Sequence, residues 1–360
     1  METIDLNGRT IALTDIVAGT IVPATDFERH TLEFIREWMT GADEFVLHTS
    51  GSTGAPKPIR LTRSQMTASA QATAQALGLQ SGWTALVTLD TRFVAGKMML
   101  VRSLITDMHI VAIEPAANPL EKLSDDLRID FAALVPYQVE TILQSPQAAR
   151  LGAIGTLIIG GAPLSAPTAH RLATLPCRAY LTYGMTETIS HIALQRLDPQ
   201  TEPGIFEALP GITLDTDDRG CLVIGVPYLP EGRVVTNDRV EIIAGRKFRW
   251  LGRWDNVINT GGFKINPETV EYQIEKLFHR FEIFNPFFVA GMPDPKLGEK
   301  LVLIVEGNFE KNLELKINEA LKSIARHIER PKSVFFIPEF TRTNTEKVNR
   351  KVTLLGHFGE

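Results

Sequence analysis

The feature that most constrains the fold is an alternation of short apolar segments with longer amphipathic ones, which begins near residue 84. The apolar segments read TALVTL, HIVAI, FAALV and TLIIGG, while PYQVETIL and SAPTAHRLATL have helical periodicity. Strands that alternate with amphipathic helices form parallel sheets covered by helices. The sequence therefore predicts an α/β fold whose large N-terminal domain is built on a helix-covered sheet.

The character of the sequence changes twice after this alternation. Glycine and proline become frequent after residue 201, which predicts an antiparallel or barrel-like, β-rich part over about 201–250. After WLGRWDN, an Asn-Pro pair at 266–267 predicts the start of a helix, and apolar residues recur at helical spacing along VEYQIEKLF. We therefore predict a large domain over 1–254 and a small, mobile α+β domain over 255–360. A strand pair at FFVAGM and KLVLIVEG and a helix over 311–328 belong to the small domain.

The composition excludes several classes of partner and location. The 37 basic and 42 acidic side chains give a net charge of −5 without a basic cluster, so a nucleic-acid partner is not expected. Cys177 and Cys221 form no Cys-x-x-Cys pair, which is typical of a reducing compartment and predicts two core residues. The acidic N-terminus and the short aliphatic runs predict neither a leader peptide nor a membrane span, so the expected location is the cytoplasm. The sequence does not indicate an oligomeric state.

The segment TSGSTGAPK at 49–57 predicts an anion-binding loop. Its glycines let backbone N–H groups converge on one point, and its hydroxyls and its lysine add donors and positive charge, as polyphosphate oxygens require. The candidate ligands are Ser50, Gly51, Ser52, Thr53, Gly54 and Lys57. The segment is not a Walker A loop, because Pro56 stands where that pattern needs its second glycine. The alternative is an ordinary turn rich in serine and glycine.

Other segments offer groups for a nucleotide, although each also has a purely structural interpretation. The run GGAPL at 160–164 would let a flat base approach the backbone, and tight packing is the alternative. YGMTET at 183–188 supplies an aromatic face, a hydroxyl and a carboxylate for Mg²⁺, although a solvated glutamate beside a core tyrosine has the same pattern. Asp238 in TND suits two ribose hydroxyls, or caps its own backbone.

Taken together, these segments resemble the acyl-adenylate-forming superfamily of acyl- and aryl-CoA ligases, adenylation domains and luciferases. The resemblance covers about 49–350, with GRWDNVINTGGFKI similar to the family's hinge and RTNTEKVNR to its catalytic-lysine segment. Within the superfamily, YGMTETISHIAL and VAGKMMLVR resemble the 2-succinylbenzoate–CoA ligases of menaquinone biosynthesis. The resemblance implies two steps: ATP and an acid form an acyl-AMP with release of pyrophosphate, and coenzyme A then takes the acyl group.

The resemblance also implies a role for each matching residue. Lys347 would lie between the acid and the α-phosphate, and Glu187 would hold Mg²⁺ while the phosphate loop binds the β- and γ-phosphates. The predicted catalytic residues are Thr186, Glu187 and Lys347, and the predicted ATP-binding residues outside the loop are Gly161, Ala162, Tyr183, Gly184, Asp238 and Arg253. The small domain would turn about Asp255 and bring Gly261 and Gly262 to the pantetheine arm of CoA.

The acid substrate would need a cation that is not engaged with ATP. Arg102 matches in position an arginine of the related ligases, and a surface arginine is the alternative. Phe93, Ser190 and Thr188 are further candidates for the same pocket.

Four departures from the family pattern limit the transfer of these roles. The chain begins 48 residues before the phosphate loop, so part of the usual large domain is expected to be absent or replaced. Phe93 stands in place of the family's pocket-gating histidine, and Asn237 replaces a glycine before the ribose aspartate. Glu346 replaces a glycine before Lys347, and its charge is expected to raise the pKa of that lysine.

Three functions remain open from the sequence. The first is a 2-succinylbenzoate–CoA ligase. The second is a ligase for another aromatic or short-chain acid, or a stand-alone adenylation enzyme that loads a carrier protein. The third is a nucleotide-binding protein that has lost catalysis, against which the retained Lys347, Glu187 and Asp238 argue.

Overall fold

The structure is a computed structural model that describes residues 1–48, 58–342 and 348–359. The strands are β1 (Thr3–Leu6), β2 (Arg9–Ala12), β3 (Glu44–His48), β4 (Pro58–Thr62), β5 (Thr84–Val87), β6 (His109–Ala112), β7 (Phe131–Leu134), β8 (Thr156–Ile159), β9 (Arg178–Gly184), β10 (His191–Leu197), β11 (Ile205–Ala208), β12 (Thr213–Thr216), β13 (Cys221–Gly225), β14 (Arg233–Ala244), β15 (Lys247–Arg253), β16 (Ile258–Thr260), β17 (Phe263–Ile265), β18 (Phe287–Asp294), β19 (Gly298–Glu306) and β20 (Ser333–Ile337). The helices are α1 (Leu13–Ala18), α2 (Asp26–Met39), α3 (Arg63–Leu77), α4 (Val94–Thr106), α5 (Pro136–Leu143), α6 (Ala148–Ala153), α7 (Ala166–Ala173), α8 (Pro267–Arg280), α9 (Lys311–Lys322) and α10 (Arg350–Phe358).

A mixed sheet of 13 strands organises the first 253 residues, in the order β12-β13-β14-β15-β11-β10-β9-β8-β7-β5-β6-β1-β2. The pairs from β9 through β8, β7, β5 and β6 to β1 are all parallel, which is the arrangement that the alternating segments predict. The mixed α/β fold is therefore confirmed.

The antiparallel strands belong to the same sheet. β10 turns back along β9, and β11, β15, β14, β13 and β12 follow as antiparallel neighbours. The antiparallel part therefore starts with β10, earlier than the predicted boundary near 201. The rise in glycine and proline marks only the strands from β11 onward, of which β14, with 12 residues, is longer than β9 or β10.

The parallel strands are buried on both faces. Successive side chains of a strand point to opposite faces, so Ala85 and Val87 lie in one hydrophobic core and Leu86 lies in the other. The first core contains Phe34 of α2, Met66 of α3 and Met98 of α4, and the second contains Val139 of α5, Leu151 of α6 and Leu172 of α7. Helices therefore cover both faces, as the near-continuous apolar character of these strands requires. The predicted core cysteines, Cys177 and Cys221, are buried thiols.

A second sheet begins after the last strand of the first. Its order is β17-β16-β19-β18, and β20 pairs in parallel with β19. The predicted strand pair is confirmed as β18 and β19, which are antiparallel over eight residue pairs from Phe287↔Val305 to Asp294↔Gly298. The predicted helix over 311–328 is wrong at its C-terminal end, because α9 stops at Lys322 and Ile324 turns into the core. No helix in the described ranges has both the length and the apolar character that crossing a membrane requires.

Local signals place the elements that surround the candidate site. β3 and β4 form a hairpin around 49–57, and β4 is a strand that the sequence did not predict. α3 starts with a capping box between Thr62 and Gln65 and ends at Gly78, whose φ of 65° is left-handed. α8 starts after Asn266, but the side chain of Asn266 accepts a hydrogen bond from Arg239 of β14 instead of capping its own helix.

Candidate functional site

Several predicted site residues lie outside the residues that the structure describes. They are Ser50, Gly51, Ser52, Thr53, Gly54 and Lys57 of the phosphate loop, and Lys347. Their roles therefore stay predictions. The phosphate loop is flanked in the chain by β3 and β4, which pair with each other. The segment that contains Lys347 is flanked by Arg342 and Val348, which form an isolated β-bridge.

Tyr183 and Asp238 form the centre of the predicted nucleotide site. The Tyr183 hydroxyl donates to Oδ2 of Asp238 over 2.7 Å, and Nε1 of Trp250 donates to Oδ1 over 3.2 Å. Asp238 is only 7% exposed, and its backbone N–H donates to the Thr236 hydroxyl. Burial, together with the Asp238 carboxylate, raises the pKa of Tyr183, so the tyrosine remains a neutral donor. Each carboxylate oxygen of Asp238 keeps a second lone pair for a ligand hydroxyl.

The contact between Tyr183 and Asp238 shows that the antiparallel part of the sheet is curled. Three strands, β10, β11 and β15, lie between β9 and β14 in the strand order. The Tyr183 ring packs against Phe206 of β11 and Phe248 of β15, with ring centroids 5.7 and 5.2 Å away. The aromatic side chains therefore fill the inside of the curl, and Asp238 comes to the end of β9.

Arg253 and Asp255 lie directly beside this pair. Arg253 is opposite Asp238 in the β14–β15 register, and its Nη1 lies 4.0 Å from Oδ1 of Asp238. The guanidinium donates two bonds of 2.9 Å to the two carboxylate oxygens of Asp255. This bidentate pair raises the pKa of Arg253 and lowers that of Asp255. The predicted ribose residues and the predicted hinge residue are thus brought together.

The predicted adenine segment follows the neighbouring strand β8. Gly161 has a φ of 89°, a conformation that favours glycine, and both Gly161 and Ala162 are exposed. β8 pairs with β9 in parallel, so this turn lies at the carboxyl edge of the sheet beside the end of β9. The exposed backbone of the turn is available to a flat ligand, as the sequence predicts.

The segment after Tyr183 forms a short 3₁₀ turn over Thr186–Thr188. The Thr188 hydroxyl donates to the carbonyls of Met185 and Ser190, and this contact stabilises the turn. Glu187 is exposed at the tip, where its carboxylate can reach a ligand. Over the described part of the chain, no group of three or more His, Cys, Asp or Glu side chains forms a ready-made metal site. A magnesium ion at Glu187 would therefore need ligand oxygens, which the phosphates of a nucleotide supply.

Arg102 lies in the protein interior, so its interpretation as a surface arginine is wrong. It is 2% exposed, and its Nη2 donates to the Ser190 hydroxyl over 2.8 Å. No described carboxylate lies within ion-pair distance of it, and its Nε is buried without a hydrogen-bond partner in the described ranges. Burial lowers the pKa of Arg102 to about 10, which still leaves a cation at neutral pH. A buried cation without a counter-ion is costly, which is typical of a group that awaits an anion.

His191 holds the other side of the Arg102 guanidinium. The Thr73 hydroxyl donates to the Ser69 carbonyl over 3.2 Å, so it accepts from Nε2–H of His191, 3.1 Å away. Nδ1 is then unprotonated and faces Nη2 of Arg102 at 3.5 Å. Burial, and secondly the Arg102 cation, lower the pKa of His191 well below its ordinary value, so the imidazole stays neutral.

Phe93, Gly184, Gly261 and Gly262 are the remaining predicted residues. Phe93 is half-buried and precedes the first residue of α4, the helix that carries Arg102. Gly261 and Gly262 form the exposed turn between β16 and β17 with φ values of 56° and 82°. Gly184 lies against the residues that surround Arg102, because a Cβ atom on Gly184 would lie 2.4 Å from Cα of His191.

The sequence did not identify several residues that the structure places in these groups. Thr73 and His191 complete the surroundings of Arg102, and Nε1 of Trp250 donates a hydrogen bond to Asp238. Ser69 and Thr73 stand one turn apart as hydroxyls in an alanine-rich helix, which was an available signal. Nothing in the local sequence singles out Trp250, because its relation to Asp238 depends on the strand register.

Comparison with known proteins agrees with these observations. A family model described as "AMP-binding enzyme" matches residues 33–227, which is more than half of the chain. A protein of Mycobacterium tuberculosis named "Probable 2-succinylbenzoate--CoA ligase" is 29% identical over 336 residues, covering 88% of this chain and 85% of its own length.

Two solved structures have the same fold. A protein of Dyadobacter fermentans, described as acyl-CoA synthetase (AMP-forming)/AMP-acid ligase II-like, is 40% identical with a TM-score of 0.64, covering 94% of this chain and 97% of its own. The O-succinylbenzoate coenzyme A synthetase of Bacillus subtilis, solved with ATP and a magnesium ion, is 18% identical with a TM-score of 0.70 and shows the fold alone, covering 86% of this chain and 69% of its own. The predicted superfamily and enzyme class, an AMP-forming acid–CoA ligase, are confirmed. This chain belongs to the AMP-binding enzyme family.

Proposed function

We propose that the protein joins 2-succinylbenzoate to coenzyme A in two steps, through an acyl-AMP. The observation that carries the choice of acid is Arg102, a buried cation without a described carboxylate partner. An acid with two carboxylates can give one to ATP and leave the other for this cation. A substrate with a single carboxylate leaves Arg102 unpaired when it reacts, which keeps the cost of burying the charge.

ATP fits the group around Asp238. The two oxygens of Asp238 would accept the ribose hydroxyls, while Tyr183 and Trp250 hold the carboxylate in place. Arg253 would add a positive charge next to the ribose, and the exposed backbone at Gly161 and Ala162 would meet the adenine edge. Tyr183 would present its ring to the base while its hydroxyl remains on Asp238.

The residues that we assign to the phosphates of ATP are proposed from the sequence motifs. The loop residues Ser50 to Gly54 and Lys57 would hold the pyrophosphate that leaves, and Lys347 would favour the charge that develops at the α-phosphate. Glu187 and Thr186 would hold the magnesium ion together with the nucleotide phosphates. When bound, that ion neutralises negative charge on the leaving pyrophosphate.

We also propose the division into a large domain over 1–254 and a small domain over 255–360, with Asp255 as the hinge. The change from one sheet to the next between Arg253 and Ile258 supports this division. A rotation about Asp255 would break the bidentate pair between Asp255 and Arg253, and it would carry the Gly261–Gly262 turn toward the acyl-AMP. The thiol of CoA would then attack the acyl carbon, and AMP would leave.

A cytoplasmic location is part of the proposal, since ATP and CoA are available there. The buried, unpaired thiols of Cys177 and Cys221 support it, because reduced cysteines are usual in that compartment.

The test is a product assay with purified full-length protein, ATP, Mg²⁺ and 2-succinylbenzoate, with and without CoA. The proposal expects 2-succinylbenzoyl-CoA and AMP only in the complete mixture, whereas without CoA the reaction should stop at enzyme-bound acyl-AMP with about one equivalent of pyrophosphate released. AMP release that needs a carrier protein in place of CoA would contradict it, and so would a better rate with a monocarboxylic acid. Lys347→Ala should lose acyl-AMP formation but keep thioester formation from supplied acyl-AMP.

A further inference from the structure

Three buried polar groups near Arg102 have no hydrogen-bond partner among the described residues. They are the Ser69 hydroxyl of α3, Nε of Arg102 in α4 and the Tyr228 hydroxyl in the loop after β13. Ser69 is fully buried, and the Tyr228 ring is partly exposed while its hydroxyl is not. Buried polar groups without partners are rare, and a cluster of them marks a place where a ligand or an ordered water can bind.

The three groups face each other across two helices and a loop. The Tyr228 hydroxyl lies next to the Ser69 hydroxyl without forming a well-aligned hydrogen bond. Burial raises the pKa of Tyr228, and the nearby Ser69 hydroxyl and Arg102 cation act in the opposite direction. One turn along α3 from Ser69, Thr73 binds the histidine that faces Nη2 of Arg102. Ser69, Arg102 and Tyr228 thus lie near one another on two packed helices and a loop.

The unsatisfied groups are all able to donate. Nε–H of Arg102 can only donate, and both hydroxyls have a free O–H. The acceptor nearby, Nδ1 of His191, is already turned to Arg102, and burial keeps His191 neutral. A set of donors around one cation selects an anion with several lone pairs, and it repels metal ions and amines. A carboxylate supplies two oxygens and about four acceptor positions.

We propose that Tyr228 and Ser69 complete the Arg102 subsite by donating hydrogen bonds to the second carboxylate of a dicarboxylic acid substrate. This inference rests on the proposed acid–CoA ligase function and adds two recognition residues to it. Ser190 and His191 hold one side of the guanidinium, which leaves the Nε side for the ligand together with the two hydroxyls. The carboxylate that these residues bind is the one that does not react with ATP.

The experiment compares Tyr228→Phe and Ser69→Ala with the unaltered protein in steady-state kinetics. The acids are 2-succinylbenzoate and two analogues that each lack one of its carboxylates, 4-oxo-4-phenylbutanoate and 2-butanoylbenzoate. A hydrogen bond to a charged group is lost in each variant, so KM for 2-succinylbenzoate should rise by about 10- to 100-fold. KM for ATP should stay within about twofold, as should kcat/KM for whichever analogue reacts while lacking the recognised carboxylate.

Matched controls separate this effect from a general loss of packing. Ser103→Ala removes a buried hydroxyl on the same helix as Arg102, but that hydroxyl is already bonded to the Met99 carbonyl. Tyr272→Phe removes an exposed hydroxyl on α8. Neither control should change KM for any acid.

Two results would overturn the inference. One is a KM for 2-succinylbenzoate that stays within about twofold in both variants, and the other is an equal loss for all three acids. Calorimetric titration of the full chain with 2-succinylbenzoate measures binding apart from turnover, and it should show the same loss of affinity. If the unaltered protein turns over none of the acids but binds 2-succinylbenzoate through these hydroxyls, the proposed function fails while the subsite stands. If it binds none of them, the inference fails as well.

Discussion

The Tyr183 hydroxyl donates a 2.7 Å hydrogen bond to Oδ2 of Asp238, a residue 55 positions further along the chain. The bond joins the C-terminal end of β9 to β14 across the inside of a curled sheet. It fixes the carboxylate that we assign to the ribose and ties it to the aromatic ring that we assign to adenine. The two parts of the nucleotide site therefore depend on one contact.

Removing that hydroxyl should weaken ATP binding without affecting the acid. In Tyr183→Phe, Asp238 keeps its bond from Trp250 but loses its shorter one, so KM for ATP should rise by about 3- to 10-fold. Steady-state kinetics at saturating acid measures this effect. Tyr180→Phe on the same strand is the control. An unchanged KM for ATP would show that the Tyr183–Asp238 bond has no part in binding the nucleotide.

Arg102 has no carboxylate partner among the described residues, so its buried charge should make the free protein less stable. The same charge should strengthen binding of the acid substrate. Arg102→Met replaces a buried cation by an apolar side chain of similar length, so the free energy of unfolding should rise by about 1–3 kcal/mol. KM for 2-succinylbenzoate should rise at least about 100-fold in the same variant. Thermal and denaturant unfolding without ligands, together with kinetics, test both statements. A less stable variant would mean that Arg102 already has a stabilising partner in the free protein.

Binding of the acid should not depend on pH around neutrality. The pKa of Arg102 is lowered only to about 10, so its cation persists, and the pKa of His191 is lowered well below its ordinary value, so its imidazole is neutral. A lowered histidine pKa means that protonation, which would remove the acceptor for Arg102, occurs only at acidic pH. We expect kcat/KM for the acid to be flat between about pH 6 and pH 9 after correction for ATP binding. A break near the ordinary pKa of histidine that disappears in His191→Gln would contradict the neutral imidazole.

Gly184 should not tolerate a side chain. A Cβ atom there would lie 2.4 Å from Cα of His191 and 2.5 Å from the Ser190 carbonyl oxygen, both of which belong to backbone that pairs with β9. Gly184→Ala should therefore destabilise the protein by about 2–4 kcal/mol and raise KM for the acid, because Ser190 and His191 both move. Gly356→Ala in α10 is the comparison, because an added Cβ there has no atom within contact distance and the backbone is not left-handed. Similar stabilities of the two variants would rule out the close approach at Gly184.

Local signals in the sequence predicted many elements, because short-range physics determines them. The capping box at Thr62 and the left-handed Gly78 are local signals that bound α3, and the parallel strands follow from their apolar runs. The end of α9 was missed because the helical pattern continues past Lys322 although Ile324 packs into the core. β4 was missed because its only partner is β3, across a loop without a hairpin signature.

The sequence predicted which segments form the site better than it predicted the contacts between their side chains. The motif at Tyr183 and the aspartate at 238 could be identified separately, but their bond depends on the curl of the five strands from β9 to β14 in the strand order. Likewise, an arginine in helix α4 is compatible with a surface position until the packing of α3 and β10 around it is known. The burial of Arg102 and its lack of a carboxylate partner among the described residues are properties of the tertiary structure alone.

Acid-dependent exchange of pyrophosphate into ATP, measured without CoA, tests the central claim most directly. With Mg²⁺ present, 2-succinylbenzoate should support exchange at least about 100-fold faster than 4-oxo-4-phenylbutanoate or 2-butanoylbenzoate, and Lys347→Ala should abolish it. Exchange with a different acid only would contradict the assigned substrate. No acid-dependent exchange across a panel that includes 2-succinylbenzoate would contradict the assignment of acyl-adenylate chemistry to this protein.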